Sequence, residues 1–241
     1  MTQQLATLLQ DLNYEVLYLP DQASIADTQV TKIVNDSRKL CAGCLFLAIH
    51  GLNSNGHAFV PEAIERQAAV VIVQEDVEIP KGCQTILLKT EDTRVAMAEI
   101  AAAYYEHPAR RLKVIGITGT KGKTTTTYMV KSMLENAGIK TGLIGTIEVI
   151  IGDEHIPAAN TTPESLLLQS YLYRMAEEGM EAVVMEVSSQ ALKLHRTRAI
   201  LFDIGIFTNL EADHIGRGEH EDFADYLHCK SLLFRQCKTG I

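Results

Sequence analysis

The sequence predicts an α/β protein in two parts. A small N-terminal α/β domain spans residues 1–108, and a mostly parallel, doubly wound domain spans residues 109–241. Three observations lead there. Short apolar runs alternate with helical patterns, as βα units of a parallel sheet do. Pro108 and the basic run ARRLK interrupt that alternation. Beyond them an apolar strand enters the glycine-bearing turn GTKG and then a helix.

The elements follow in order. An amphipathic helix is expected over residues 2–12. TKIVNDSRKL and CLFLAIHG carry strand-like apolar runs, FVPEAIERQ a helix, and AAVVIVQE and QTILLKT buried strands. EDTRVAMAEIAAAYYEHP is a long alanine-rich helix with acidic residues at its start. In the second part KVIGIT is a strand, and KTTTTYMVKSMLENAG is a helix closed by Gly138. KTGLIGTIEVII is the next strand or strand pair. TTPESLLLQSYLYRMAEEG is a helix with proline in its first turn. EAVVMEVSS and FDIGIFTNL are strands, and HEDFADYLHCKSLLFRQC is the final helix.

Composition narrows the function classes. Of 241 residues, 46% are hydrophobic, enough for a sizeable core. A net charge of -8 argues against general nucleic-acid binding, yet local lysines can still hold an anionic ligand. No apolar run approaches the roughly 18 residues of a membrane span. MTQQLATLLQ lacks the basic flank of a signal peptide, so a cytoplasmic location is expected. Five cysteines, an odd count, do not suggest a disulfide framework. Cys41 and Cys44 match C-x-x-C, and they also read as small residues flanking a turn.

VIGITGTKGKTTTTYMV departs from the usual phosphate loop G-x-x-x-x-G-K-[ST], because Ile117 stands where its first glycine belongs. The shortened loop keeps the needed chemistry. Gly119 and Gly122 let main-chain N–H groups approach phosphates, Lys123 reaches the terminal ones, and the Thr124 hydroxyl can meet Mg²⁺. Thr120, Lys121 and Thr125 complete the loop and helix start. Glu186 ends an apolar strand, where open α/β sheets place ligands, and a carboxylate there can bind Mg²⁺. His214, after Asp213, reads either as a ligand or as one of a surface pair. Lys230, in YLHCK, lies on a helix otherwise apolar on one side.

GITGTKGKTTT, MEVSS, ADH and YLHCK together resemble the Mur ligases and their relative folylpolyglutamate synthetase. These enzymes join a carboxylate to an amine through an acyl phosphate. The resemblance implies ATP and two Mg²⁺ ions, with Glu186 and His214 as magnesium ligands. It implies that Lys230 reacts with CO₂ to form a carbamate, an anion that holds the second ion. NTTPE resembles the branch that adds the third residue of the peptidoglycan stem peptide to UDP-N-acetylmuramoyl-L-alanyl-D-glutamate. It implies sugar-peptide contacts at Asn160, Thr161, Thr162, Ser188 and Arg196. An N-cap followed by proline also fits NTTP. NDSRK, then GCLFLA, then GLNSNG resemble the family's uridine-binding domain and imply a UDP contact at Ser37. L-lysine or meso-diaminopimelate is the implied incoming amino acid.

This sequence departs from the family pattern in several places. Asn55 and Cys44 replace common aspartates. Leu194 stands where some relatives have a polar substrate contact. DHIGRGEH differs from D-H-L-D-x-H, which leaves the incoming amino acid open. The family has a further C-terminal domain, so the chain is expected to be a fragment of a monomeric enzyme and not to complete turnover alone. Rival readings are another Mur or folylpolyglutamate-type ligase, a P-loop kinase or NTPase switch, and a non-catalytic fragment that holds UDP-sugar.

Overall fold

The computed structural model describes residues 2–51, 54–213, 215–216 and 219–241. The chain divides into two compact units, Met1–Tyr104 and Tyr105–Ile241. Among the described residues, no helix is long and apolar enough to cross a membrane.

The first unit contains β1 (Gln3–Gln4), α1 (Leu5–Leu9), β2 (Glu15–Tyr18), β3 (Gln29–Val30) and β4 (Lys32–Val34). It continues with β5 (Cys44–Leu47), α2 (Val60–Glu65), β6 (Val70–Val73), β7 (Ile86–Lys89) and α3 (Thr93–Tyr104). Its five-stranded sheet has the order β2-β7-β6-β5-β4 and is parallel except for β2. CLFL and VVIV are buried along their whole length, as central parallel strands should be. The helix expected over residues 2–12 is only one turn long, because Gln3 and Gln4 pair instead with Val30 and Gln29. A strand ladder supplied from a distance overrides local helix preference there.

Two of the motif positions sit in turns of this unit. Asp36 caps the turn Ser37–Lys39 by accepting from the Arg38 main-chain N–H at 3.1 Å. The Arg38 guanidinium also pairs with Asp36 and holds its carboxyl down at about 2. Ser37 is half-buried. Asn55 accepts from the His57 N–H at 2.9 Å and donates to Glu75 at 3.0 Å. An aspartate there would set two carboxylates face to face, which gives this departure a local reason. All five cysteines are free thiols, and burial pushes the Cys44 thiol up, away from reactivity.

The second unit contains β8 (Lys113–Thr118), α4 (Lys123–Asn136), β9 (Thr141–Ile144), β10 (Glu148–Ile151), β11 (Glu154–Pro157) and α5 (Ser165–Glu177). β12 (Ala182–Glu186), α6 (Ser189–Lys193), β13 (Phe202–Phe207), α7 (Phe223–Ser231) and β14 (Cys237–Gly240) complete it. Its sheet has the order β11-β10-β9-β12-β8-β13-β14. The strands from β9 to β14 are parallel, and the β10–β11 hairpin adds an antiparallel edge. Alternate residues of β8 serve opposite faces. Val114 packs in the cluster that contains Leu168, Leu172 and Met175 of α5, while Ile115 and Ile117 meet Val130 and Leu134 of α4. Helices on both faces make the sheet doubly wound. Gly116 and Gly142 lie where a Cβ would stand 2.7 Å from the Phe202 ring and 2.6 Å from Met175 Sδ.

Local differences from expectation have identifiable causes. Pro163 is not in the first turn of α5, whose cap is Glu164. The segment before it stays non-helical because Thr162 is tied to the end of β12. The final helix is α-helical only to Ser231. It tightens to a 3₁₀ turn over Leu232–Gln236, and Cys237–Gly240 then pairs with β13.

Candidate functional site

The turn between β8 and α4 lies at the carboxyl ends of the parallel strands. Gly119 takes φ +146° and Gly122 φ +81°, values that favour glycine. A Cβ on Gly119 would lie 2.0 Å from Thr208 Oγ1. Two residues after β13 set the loop's shape. Asn209 Oδ1 accepts from the Lys121 N–H at 2.9 Å, and Asn209 Nδ2 donates to the Lys121 carbonyl at 3.1 Å. Thr208 Oγ1 donates to the same carbonyl at 2.7 Å. Thr120 Oγ1 lies 3.0 Å from the Tyr226 hydroxyl and accepts from Glu211 N at 3.0 Å. Lys121 pairs with Glu211 across the outside. Thr125 is exposed in the first turn of α4.

Two lysines meet on one loop carbonyl. Lys123 Nζ donates to Gly119 O at 2.9 Å and to Thr120 O at 3.0 Å, and Lys230 Nζ donates to Gly119 O at 2.8 Å. Lys230 is 2% exposed, and its ammonium lies 4.4 Å from the centre of the Tyr226 ring. Burial pushes both lysines down. Lys230 reaches about 8, helped by repulsion from Lys123 and opposed by Asp213. The site therefore concentrates positive charge where a polyphosphate would lie.

Glu186 is 1% exposed. Its carboxylate accepts from Thr124 Oγ1 at 3.0 Å, Thr146 N at 2.9 Å and Thr146 Oγ1 at 3.1 Å. Gly145 makes room, since a Cβ there would stand 2.7 Å from Glu186 Oε1. Thr124 and Glu186 thus converge as an oxygen-only donor set, which suits a hard cation such as Mg²⁺. His214 lies outside the described residues.

The other end of Glu186 organises a second group. Its carbonyl accepts from Thr162 Oγ1 at 3.0 Å, and Thr162 Oγ1 accepts from Ser188 N at 3.0 Å. Arg196 donates to the Thr162 carbonyl at 3.0 Å and pairs with Glu164. Its Nε is buried and has no hydrogen-bond partner among the described residues. Ser188 Oγ caps α6 through Ala191 N at 3.1 Å. A cleft of about 170 Å³ is lined by Lys123, Asn160, Thr161, Thr162, Ser188 and Arg196, and also by Ser189, Gln190, Glu219 and His220. It brings together every second-unit residue expected to touch the sugar peptide. Ser37 belongs to the other unit.

Sequence reasoning missed Thr146, Thr208, Asn209, Ser189 and His220. Only Thr208 and Asn209 carried a usable signal, as polar residues directly after a strand adjacent to β8.

A profile of the Mur ligase middle domain matches residues 117–241, more than half of the chain. The chain belongs to the Mur ligase family. The profile described as Mur ligase family, catalytic domain, matches residues 29–105. Among curated Mur ligases, the UDP-N-acetylmuramoyl-L-alanyl-D-glutamate--2,6-diaminopimelate ligase of Caldanaerobacter subterraneus subsp. tengcongensis is 43% identical over 236 residues. That alignment covers 98% of this chain and 47% of the relative. The Clostridium acetobutylicum enzyme designated ligase 1 of the same name is 42% identical over 237 residues, with the same coverage. The chain therefore spans about half the length of these relatives. A solved UDP-N-acetylmuramoyl-L-alanyl-D-glutamate--2,6-diaminopimelate ligase superposes with TM-score 0.76 at 21% identity, over 100% of this chain and 47% of the other. A MurF structure from Acinetobacter baumannii gives 0.63 at 23%, over 98% and 47%. At those identities the structures speak to the Mur ligase fold alone.

Proposed function

We propose that this chain forms the nucleotide- and sugar-peptide-binding part of an ATP-dependent ligase. That ligase joins 2,6-diaminopimelate to UDP-N-acetylmuramoyl-L-alanyl-D-glutamate in peptidoglycan precursor synthesis. The observation that carries the reading is the double attachment of Glu186. Its carboxylate reaches the phosphate loop through Thr124, and its carbonyl reaches the cleft segment through Thr162. A phosphoryl donor and a carboxylate acceptor would therefore meet beside one strand end. The names of relatives at 42–43% identity support diaminopimelate over L-lysine.

In this reading residues 109–241 bind ATP and residues 1–108 bind the UDP moiety, with Ser37 as a contact. Loop N–H groups and Lys123 hold the phosphates of ATP. Asn160, Thr161, Thr162, Ser188 and Arg196 hold the sugar peptide, and the unpartnered Arg196 Nε offers a donor to an anion. The D-glutamate carboxylate attacks the γ-phosphorus, giving an acyl phosphate and ADP. Two anions must approach each other, so most of the acceleration is charge neutralisation and positioning. Thr124, Glu186 and His214 would hold Mg²⁺, which would supply part of that neutralisation when bound. Lys230 is buried with its pKa near 8, so part of it is an uncharged amine at neutral pH, as carbamate formation with CO₂ requires. A Lys230 carbamate would hold a second Mg²⁺. The enzyme is proposed to act in the cytoplasm, as a monomer.

Calorimetric titration of this chain with UDP-N-acetylmuramoyl-L-alanyl-D-glutamate, with and without Mg²⁺-ATP, tests the reading. Saturable sugar-peptide binding is expected, with ATP binding lost in Lys123→Ala. A folded chain that binds ATP but no sugar peptide would refute the substrate and return the question to the other ligase types.

A further inference from the structure

The cleft contains a hydrogen-bonded chain that the steps above do not use. Ser189 opens α6 and is 5% exposed, with its Oγ 2.8 Å from His220 Nε2. His220 is 1% exposed and packs edge-on against the Tyr226 ring at 5.1 Å. His220 Nδ1 lies 3.1 Å from Asp225 Oδ2. That oxygen also accepts from Lys193 Nζ at 2.7 Å and Glu221 N at 3.1 Å, and Cys229 Sγ meets Oδ1 at 3.3 Å. Ser189 and His220 line the same cleft as Lys123 and Arg196.

The donors fix the proton positions. Asp225, paired with Lys193, stays a carboxylate and only accepts, so His220 Nδ1 carries the hydrogen. In the neutral imidazole Nε2 is then a bare lone pair, placed to take the Ser189 O–H. Among the described residues no other group donates to Ser189 Oγ, so its lone pairs can accept from a donor in the cleft. A serine backed by an oriented imidazole and a carboxylate is a proton-accepting relay.

We propose that Ser189, His220 and Asp225 take the proton that the incoming amine must lose. This rests on the ligase reading and deepens it. The amine arrives as an ammonium. One N–H proton passes to Ser189 Oγ as the Ser189 hydroxyl proton passes to His220 Nε2, and Asp225 stabilises the imidazolium. The neutral nitrogen attacks the acyl carbon, the C–N bond forms and the C–O bond to phosphate breaks. Phosphate leaves and takes the second proton from the new amide nitrogen. His220 returns its proton to solvent.

The test uses the full-length ligase and two nucleophiles, 2,6-diaminopimelate and hydroxylamine. Hydroxylamine is already uncharged at neutral pH and needs no base. His220→Gln is expected to slow ligation of diaminopimelate by about 10²- to 10⁴-fold. Hydroxamate formation should stay within about twofold of wild type, because base catalysis is not required there. Asp225→Asn should show the same split. The lost ligation rate should return as pH rises toward the amine's own range. Among the described residues, the titratable groups around His220 are Asp225, Tyr226 and the chain neighbours Glu219 and Glu221, with Lys193 and Cys229 bonded to Asp225; all are present in His220→Gln, so a pH response they cause would persist unchanged. An equal fall with both nucleophiles would make the chain a structural tie and overturn the proposal, as would ligation unaffected in both variants. A wild-type enzyme that yields neither product would instead refute the ligase reading.

Discussion

Thr162→Val isolates one hydroxyl. Thr162 is fully buried, and valine has nearly its shape, so packing is preserved. The substitution removes the oxygen that donates to the Glu186 carbonyl and accepts from Ser188 N, both at 3.0 Å. Each buried main-chain group that loses its partner costs about 1–3 kcal/mol, so the expected loss for the two is about 2–6 kcal/mol. For a domain of this size that lowers the melting temperature of its transition by roughly 5–25 °C. Thr162→Ser keeps the oxygen and loses only a methyl, about 1 kcal/mol. Scanning calorimetry and urea titration of the two variants give the comparison. Hydrogen exchange at the Ser188 amide should accelerate in the valine variant alone. If the serine variant is the less stable, or the Ser188 amide is equally protected in both, the hydroxyl is not what holds the cleft segment to β12.

Other substitutions probe the charged groups. Lys230 has a folded pKa of about 8 against an ordinary 10.5, so the unfolded chain binds more protons between those values. Stability should therefore rise with pH across that window, and the rise should vanish in Lys230→Met when urea midpoints are followed against pH. Gly119→Ala drives a methyl into Thr208 Oγ1, 2.0 Å away, and should weaken ATP binding by more than about tenfold in calorimetry. Glu186→Gln removes the carboxylate that Thr124 and Thr146 surround. Wild type should bind ATP more tightly with Mg²⁺ than with EDTA, and the variant should bind equally in both.

The sequence made the central strands and the phosphate loop easy to find, because each buried strand is a continuous apolar run. The edges were harder. Strand β11, EHIP, has no apolar alternation, and its signal was the two-residue turn Gly152-Asp153 between paired Ile151 and Glu154. Strand β14 is short, polar and continuous with a helical pattern, and only its pairing with β13 makes it a strand. At the site, residues with one chemical role in one motif were legible, as with Lys123 and Glu186. Residues that act by holding others were not. Asn209 grips the Lys121 peptide from 88 positions away, and His220 reaches Ser189 across 31. No local pattern encodes such meetings; the strand order creates them.

The two ends of Glu186 carry a thermodynamic obligation. The side chain answers to the segment around Thr124 and Thr146, the main chain to the segment around Thr162 and Ser188. A ligand that shifts one segment works against the same residue that anchors the other. Whatever factor one ligand imposes on the affinity of the second, the second must return to the first in equal measure. Order of addition would then be a matter of rates, while the strength of the ternary complex is the same by either route.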